Sequence, residues 1–192
     1  MAKLHFFYST MNAGKSTALL QTNHNFIENN LETLVFIPKV SEDSIAEVSS
    51  RIGIKIGAIE ANNTFNFFDY VESKRTSNIK SIFIDEAQFL KTNQIEQLAK
   101  VADKLNIPVL CYGLRTNFLG EFFEGSSRLF AIADNLHEIK TICSMCTKKA
   151  TMVVRVDTNG NVQTDGKVVE LGGNELYKSV CRKHFRKLTK IF

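Results

Sequence analysis

The chain has 192 residues, 44% of them hydrophobic and 23% charged, with 24 Lys+Arg against 20 Asp+Glu. That apolar fraction excludes a disordered tail, the length suits one ordinary domain with a small appendage, and no apolar run approaches the ~18 residues of a membrane helix. The net charge of +4 hides an asymmetry: residues 1–139 hold 13 basic and 16 acidic side chains, and residues 140–192 hold 11 and 4.

Residues 4–8 read as a strand, and the stretch from Met1 to Tyr8 is too short and too mixed for a secretory signal, so the cytoplasm is the expected compartment and no membrane partner is expected. Residues 16–25 are expected as a helix, with Ala18, Leu19 and Leu20 near its start. Residues 33–37 form a short apolar run stopped by Pro38, and residues 81–85 form another strand that ends on a carboxylate. Ile95, Leu98, Ala99, Ala102 and Leu105 recur at helical spacing until Pro108 stops them, and residues 109–113 return as a strand. Such alternation predicts an α/β fold, a mostly parallel sheet with helices on both faces. Past residue 139 the pattern changes. Residues 151–156 and 162–170 read as strands joined at Asn159-Gly160, followed by a Gly172-Gly173-Asn174 loop and the basic segment 182–190. The charge changes sign at the same place, so domains of 1–139 and 140–192 are expected.

The first strand runs into Ser9-Thr10-Met11-Asn12-Ala13-Gly14-Lys15-Ser16-Thr17, which has the strand, loop and helix start of a phosphate-binding loop. Gly14 lets the backbone aim its N–H groups at phosphate, Lys15 can reach the β- and γ-phosphates, and the Ser16 hydroxyl can ligate Mg²⁺. Ser9 stands where the general motif has its first glycine, and Thr10, Met11, Asn12 and Ala13 complete the cradle. Asp85 has the setting of the second phosphate motif, a carboxylate that ends a buried strand and holds Mg²⁺. Nucleotide binding follows from the two together. Beside it, Glu86 can accept the proton of an attacking hydroxyl or orient a water, and the residues alone leave both roles open. Arg51, in Ser49-Ser50-Arg51-Ile52-Gly53, can reach a phosphate or serve as an ordinary surface ion-pair residue.

Cys143-Ser144-Met145-Cys146 and Cys181-Arg182-Lys183-His184 are two knuckles separated by 34 residues. They supply the four ligands of a closed, structural zinc site, Cys143, Cys146, Cys181 and His184. A disulfide or redox role fits poorly, because the paired C-x-x-H has no redox meaning. Cys111 falls inside an apolar strand and is expected to pack in the core.

These motifs, in this order and over nearly the whole chain, resemble the thymidine kinases shared by bacteria and the vertebrate cytosol. The resemblance rests on residues 9–17, Asp85-Glu86-Ala87-Gln88-Phe89, Tyr112-Gly113-Leu114-Arg115-Thr116-Asn117-Phe118, the Cys143/Cys146 knuckle and the run from Leu171 to His184. Bacterial members of that family also carry serine at the Ser9 position, and some relatives have cysteine at the His184 position. The resemblance implies a RecA-like P-loop sheet with a small zinc-binding unit. It also implies transfer of the γ-phosphate of ATP to the 5′-hydroxyl of thymidine, with deoxyuridine as a further acceptor. Glu86 would be the general base, Asp85 and Ser16 would serve Mg²⁺, and Ala87 and Gln88 would join the phosphate loop in the ATP site. Phe89, Leu114 and Phe118 would line the base pocket. Val168, Val169, Glu170, Leu171 and Gly172, with Tyr177, would form a lid (lasso) loop that the zinc unit ties down. A homotetramer inhibited by thymidine triphosphate is implied as well.

The rival reading is a DNA-stimulated P-loop ATPase with a zinc module for nucleic acid. The chain is short for such a motor and lacks a basic stripe interleaved with aromatics, so no nucleic-acid partner is expected. The basic end, net +7 before about −1 from three thiolates and Zn²⁺, is read as serving solubility, subunit contacts and attraction of anionic nucleotides.

Overall fold

Short runs in which side chains alternate between two apolar surroundings build the central sheet. In the computed structural model, which describes residues 1–42, 45–74, 76, 78–168 and 176–192, β1 (Leu4–Ser9) leads into α1 (Lys15–Glu28) and β2 (Glu32–Pro38). A hairpin of β3 (Glu47–Ser49) and β4 (Lys55–Gly57) follows, then β5 (Ile59–Ala61), α2 (Phe67–Lys74) and β6 (Ile79–Ile84). After a 3-10 turn at Ala87–Phe89 come α3 (Thr92–Lys100), β7 (Val109–Leu114), α4 (Glu124–Ile132) and β8 (Asn135–Glu138). Six strands lie in the order β5-β2-β6-β7-β1-β8, and every neighbouring pair is parallel. The expected α/β architecture is observed.

Adjacent residues of one strand serve opposite faces. Phe6, Phe36, Ile82, Ile84 and Val109 join Phe67 and Val71 of α2, Ile95 and Leu98 of α3 and Leu129 of α4 in one core. Val35, Phe83 and Tyr112 pack with Leu19 and Leu20 of α1 and Val48 of the hairpin. Helices therefore cover both faces. A fully buried Phe contributes about 1.5–3 kcal/mol over an exposed one, which makes the Phe-rich runs anchors of this core. Cys111 is part of it, and burial pushes its thiol well above the ordinary range.

The expected helix over residues 95–105 is continuous but changes character. α3 ends at Lys100, Val101–Leu105 widens into a π-type turn, and Asn106 at φ 54° ends it in the left-handed region before Pro108 is reached. The C-terminal part holds β9 (Thr141–Ile142) paired with β10 (Lys149–Ala150), and a small sheet in which β11 (Met152–Val156) lies between β12 (Val162–Gln163) and β13 (Tyr177–Val180). α5 (Arg182–Thr189) closes it, and Cys143, Met152, Val154, Val180 and Phe185 form its own core. The hairpin at Asn159-Gly160 is present. The Asp157 carboxylate accepts the N–H groups of Asn159 and Asn161, and Gly160 takes φ 82°. The strand expected over 162–170 stops at Gln163, because the Asp165 and Lys167 carbonyls accept hydrogen bonds from the Arg155 side chain. Residues 169–175 lie outside the described residues, and with them the expected loop positions Val169, Glu170, Leu171 and Gly172 and the Gly172-Gly173-Asn174 turn. Among the described residues no helix is long and apolar enough to cross a membrane.

Candidate active site

β1, β6 and β7 end on the same side of the parallel sheet, where ligand crevices form in such folds. From Ser9 the chain turns through Asn12 at φ 62° and Gly14 at φ 83° before α1 begins. A Cβ on Gly14 would meet nothing within 4 Å, so the backbone angle, not the space, is what favours glycine there. No side chain among the described residues caps α1, which leaves its first N–H groups for an anion. The loop faces a cavity of about 470 Å³ lined by residues 11–17, residues 49–52, Glu86 and Leu114.

Lys15 is buried beneath this cavity, and its Nζ donates to the Thr10 carbonyl at 3.0 Å. Burial pulls its pKa down, the carboxylates of Glu86 and Asp85 oppose that, and the Arg51 charge adds to it. A substrate phosphate would restore the balance. Ser16 Oγ donates to Asp85 Oδ2 at 2.7 Å, joining the helix start to the end of β6. Asp85 is 3% exposed, and burial, then the charge of Glu86, raise its carboxyl to about 7 against the Ser16 bond, the Glu86 N–H and Lys15. Its Oδ1 is buried with no hydrogen-bond partner among the described residues. An orphaned carboxylate oxygen beside a serine hydroxyl is a donor set suited to a hard divalent cation such as Mg²⁺.

Glu86 adopts the left-handed conformation, φ 49°, which turns its side chain out of the strand line and into the cavity lining. Behind it, Gln88 Nε2 donates to Glu86 Oε2, and Gln88 Oε1 accepts the Leu114 N–H at 2.9 Å. Gly113 leaves room for this bracket, since a Cβ there would come within 2.9 Å of Gln88 Oε1. Ala87 and Gln88, expected in the nucleotide site, adjoin Glu86. Ala87 is packed in the core and Gln88 braces Glu86, and neither lines the cavity. Ser9 and Thr10 are also buried under the loop, with their hydroxyls on the carbonyls of Thr10 and Met11.

Arg51 sits at the tip of the β3–β4 hairpin and lines the same cavity as the phosphate loop. The sequence marked Arg51 with two alternative roles but did not foresee that the run Ser49 to Ile52 lines the site. Apolar alternation at Val48 and Ile56 around Gly53 was the available hairpin signal. Among the expected nucleoside residues, Leu114 lines the cavity, while Phe118 and Tyr177 cluster with Val153 and Met11. Val168 is 40% exposed, and Phe89 packs edge-on against Phe123 instead of joining that cluster.

The cysteine knuckles come together. The ligand atoms of Cys143, Cys146, Cys181 and His184 all lie within 4.8 Å of one another. Cys146 Sγ is 3.9 Å from Cys181 Sγ, and His184 Nδ1 is 3.4 Å from the sulfurs of Cys143 and Cys181. Bonds of about 2.3 Å to sulfur and 2.0 Å to nitrogen in a tetrahedron put ligands roughly 3.5–3.8 Å apart, so the cluster is compatible with structural zinc. Burial alone would raise the Cys143 thiol, but the Cys181 and Met145 backbone and the His184 ring bring it down to about 6, toward the thiolate that zinc requires.

The sequence model of the family described as thymidine kinase matches residues 2–185. The thymidine kinase of Coxiella burnetii is 50% identical over 189 residues, covering 97% of this chain and 96% of that protein. That of Mannheimia succiniciproducens is 51% identical over 191 residues, 98% of this chain and 97% of its own length. That of Rhodopirellula baltica is 50% identical over 188 residues, 97% of this chain and 89% of its own. With a family match over nearly its full length and relatives at half identity, the chain belongs to the thymidine kinase family.

Proposed function

We propose that this enzyme transfers the γ-phosphate of ATP to the 5′-hydroxyl of thymidine, with deoxyuridine as a further acceptor, and that Glu86 is its general base. The observation that carries the assignment is the position of Glu86: it faces the phosphate cavity beside Lys15 and Leu114 and is held from behind by Gln88. A fixed carboxylate loses little orientational freedom when it accepts the hydroxyl proton. Residues 11–16 cradle the phosphates with backbone N–H groups, Lys15 neutralises their charge, and Arg51 lines the same cavity. Ser16 and Asp85 would hold Mg²⁺, which would offset the negative charge of the substrate phosphates.

Phe89, Leu114 and Phe118 line the base pocket in this reading, and Val168 begins the lid that, with Tyr177, closes over the nucleoside. Val169, Glu170, Leu171 and Gly172 would complete that lid. Residues 140–192 are assigned as the zinc-carrying unit that anchors it, which favours transfer over hydrolysis by excluding water. A cytoplasmic homotetramer inhibited by thymidine triphosphate completes the proposal.

A nucleoside panel assayed with ATP and Mg²⁺ tests this reading. Thymidine should yield its monophosphate with one ADP formed per transfer. ATP hydrolysis stimulated by DNA, with no nucleoside phosphorylated, would overturn it.

A further inference from the structure

Arg155 interrupts an apolar strand, Met152-Val153-Val154-Arg155-Val156, and yet only 4% of it is exposed. Burying a guanidinium is costly unless its donors are met, so its contacts carry information. Nη1 donates to the Lys167 carbonyl and Nη2 to the Asp165 carbonyl, each at 2.7 Å. Its guanidinium carbon lies 4.0 Å from the centroid of the Phe118 ring. Gly166, between the two gripped carbonyls, has φ 102°, and a Cβ on it would come within 2.5 Å of Nη2. Across the small sheet, Arg155 stands in register with Tyr177, which clusters with Phe118 and Met11.

We propose that Arg155 is a positioning residue for the nucleoside pocket: it clamps residues 165–167 onto the Phe118 ring and so sets where Phe118 and the chain leading to Val168 stand. This rests on the assignment of Phe118 and Val168 to the nucleoside side. The geometry demands arginine. Only a planar fork can donate to two carbonyls two residues apart while its face lies on an aromatic ring, and a lysine ammonium offers a point charge without the plane. Gly166 is the other half of the device, since it alone gives the loop both the left-handed turn and the space to wrap the fork. The cluster meets the phosphate loop at Met11 but not at Lys15 or Ser16, so the larger loss falls on the nucleoside.

Steady-state kinetics of Arg155→Lys, Arg155→Met and Gly166→Ala, with zinc content and melting temperature measured alongside, test the inference. Each variant should raise the KM for thymidine by about tenfold or more while the KM for ATP stays within about twofold, and lysine should not rescue. An unchanged thymidine KM in a folded variant, or an equal rise for both substrates, overturns it. Should the Arg155 variants fail to fold, Gly166→Ala decides, because it keeps the guanidinium and breaks only its grip; a Gly166→Ala protein that also fails to fold overturns the inference in favour of a purely structural role. A wild-type protein inactive on thymidine defeats the functional reading itself, whereas an active wild type with indifferent variants defeats only this inference.

Discussion

Ser179 on β13 donates its hydroxyl to the Met11 carbonyl at 2.6 Å, a bond between the strand that leads to Cys181 and the phosphate loop across 168 residues. The same Ser179 accepts the Ser144 N–H on its own carbonyl at 2.9 Å, which links the first cysteine knuckle to that strand. The two ends of the chain thus meet at one residue. Ser179→Ala should leave zinc bound and raise the KM for ATP about three- to tenfold, the value of one side-chain hydrogen bond. An ATP KM equal to that of the wild type would show that the loop holds its shape without this bond.

Zinc removal should act more widely. Structural zinc contributes of the order of 10 kcal/mol or more to small modules, and the small core around Cys143, Val180 and Phe185 is expected to loosen without the metal. Chelation, or Cys146→Ala, is expected to lower thymidine affinity more than ATP affinity, because in the proposed reading the module supplies Tyr177 to the nucleoside side, while among the described residues it meets the phosphate loop at Met11, through the Ser179 hydrogen bond and the packing of Val153 and Tyr177. Isothermal titration with each ligand distinguishes the two. Equal losses would mean that the metal supports the whole fold.

Arg51 lines the same cavity as the phosphate loop, and its charge acts on Lys15. Arg51→Ala should lower kcat/KM by about tenfold or more, since hydrogen bonds to charged groups are worth roughly 1.5–3 kcal/mol. Thymidine binding in the absence of ATP should not change. A variant with normal kcat/KM would return Arg51 to the role of a surface residue.

What the sequence revealed was local. The strand runs of the parallel sheet, the phosphate loop and both cysteine knuckles are written in contiguous residues and are found where expected, whereas the run over 162–170 is strand only at Val162–Gln163. The bracket behind Glu86 was hidden because Gln88 and Leu114 are 26 residues apart and meet only when β6 and β7 align. α4 was missed for a related reason: Gly125 weakens its helical signal, yet a Cβ there would lie 2.5 Å from the Ala87 carbonyl. Packing, not propensity, chose that glycine. Arg155 was visible as a charge in an apolar strand, but its partners belong to a loop whose path the sequence pattern read as more strand.

The most direct measurement compares wild type with Glu86→Gln, following ADP and thymidine monophosphate together at saturating ATP, Mg²⁺ and thymidine. Glutamine keeps the size and the hydrogen-bonding reach toward Gln88 but cannot take the proton. Thymidine monophosphate formation should fall by about a hundredfold or more, with ATP affinity retained. Normal turnover by Glu86→Gln would contradict the account.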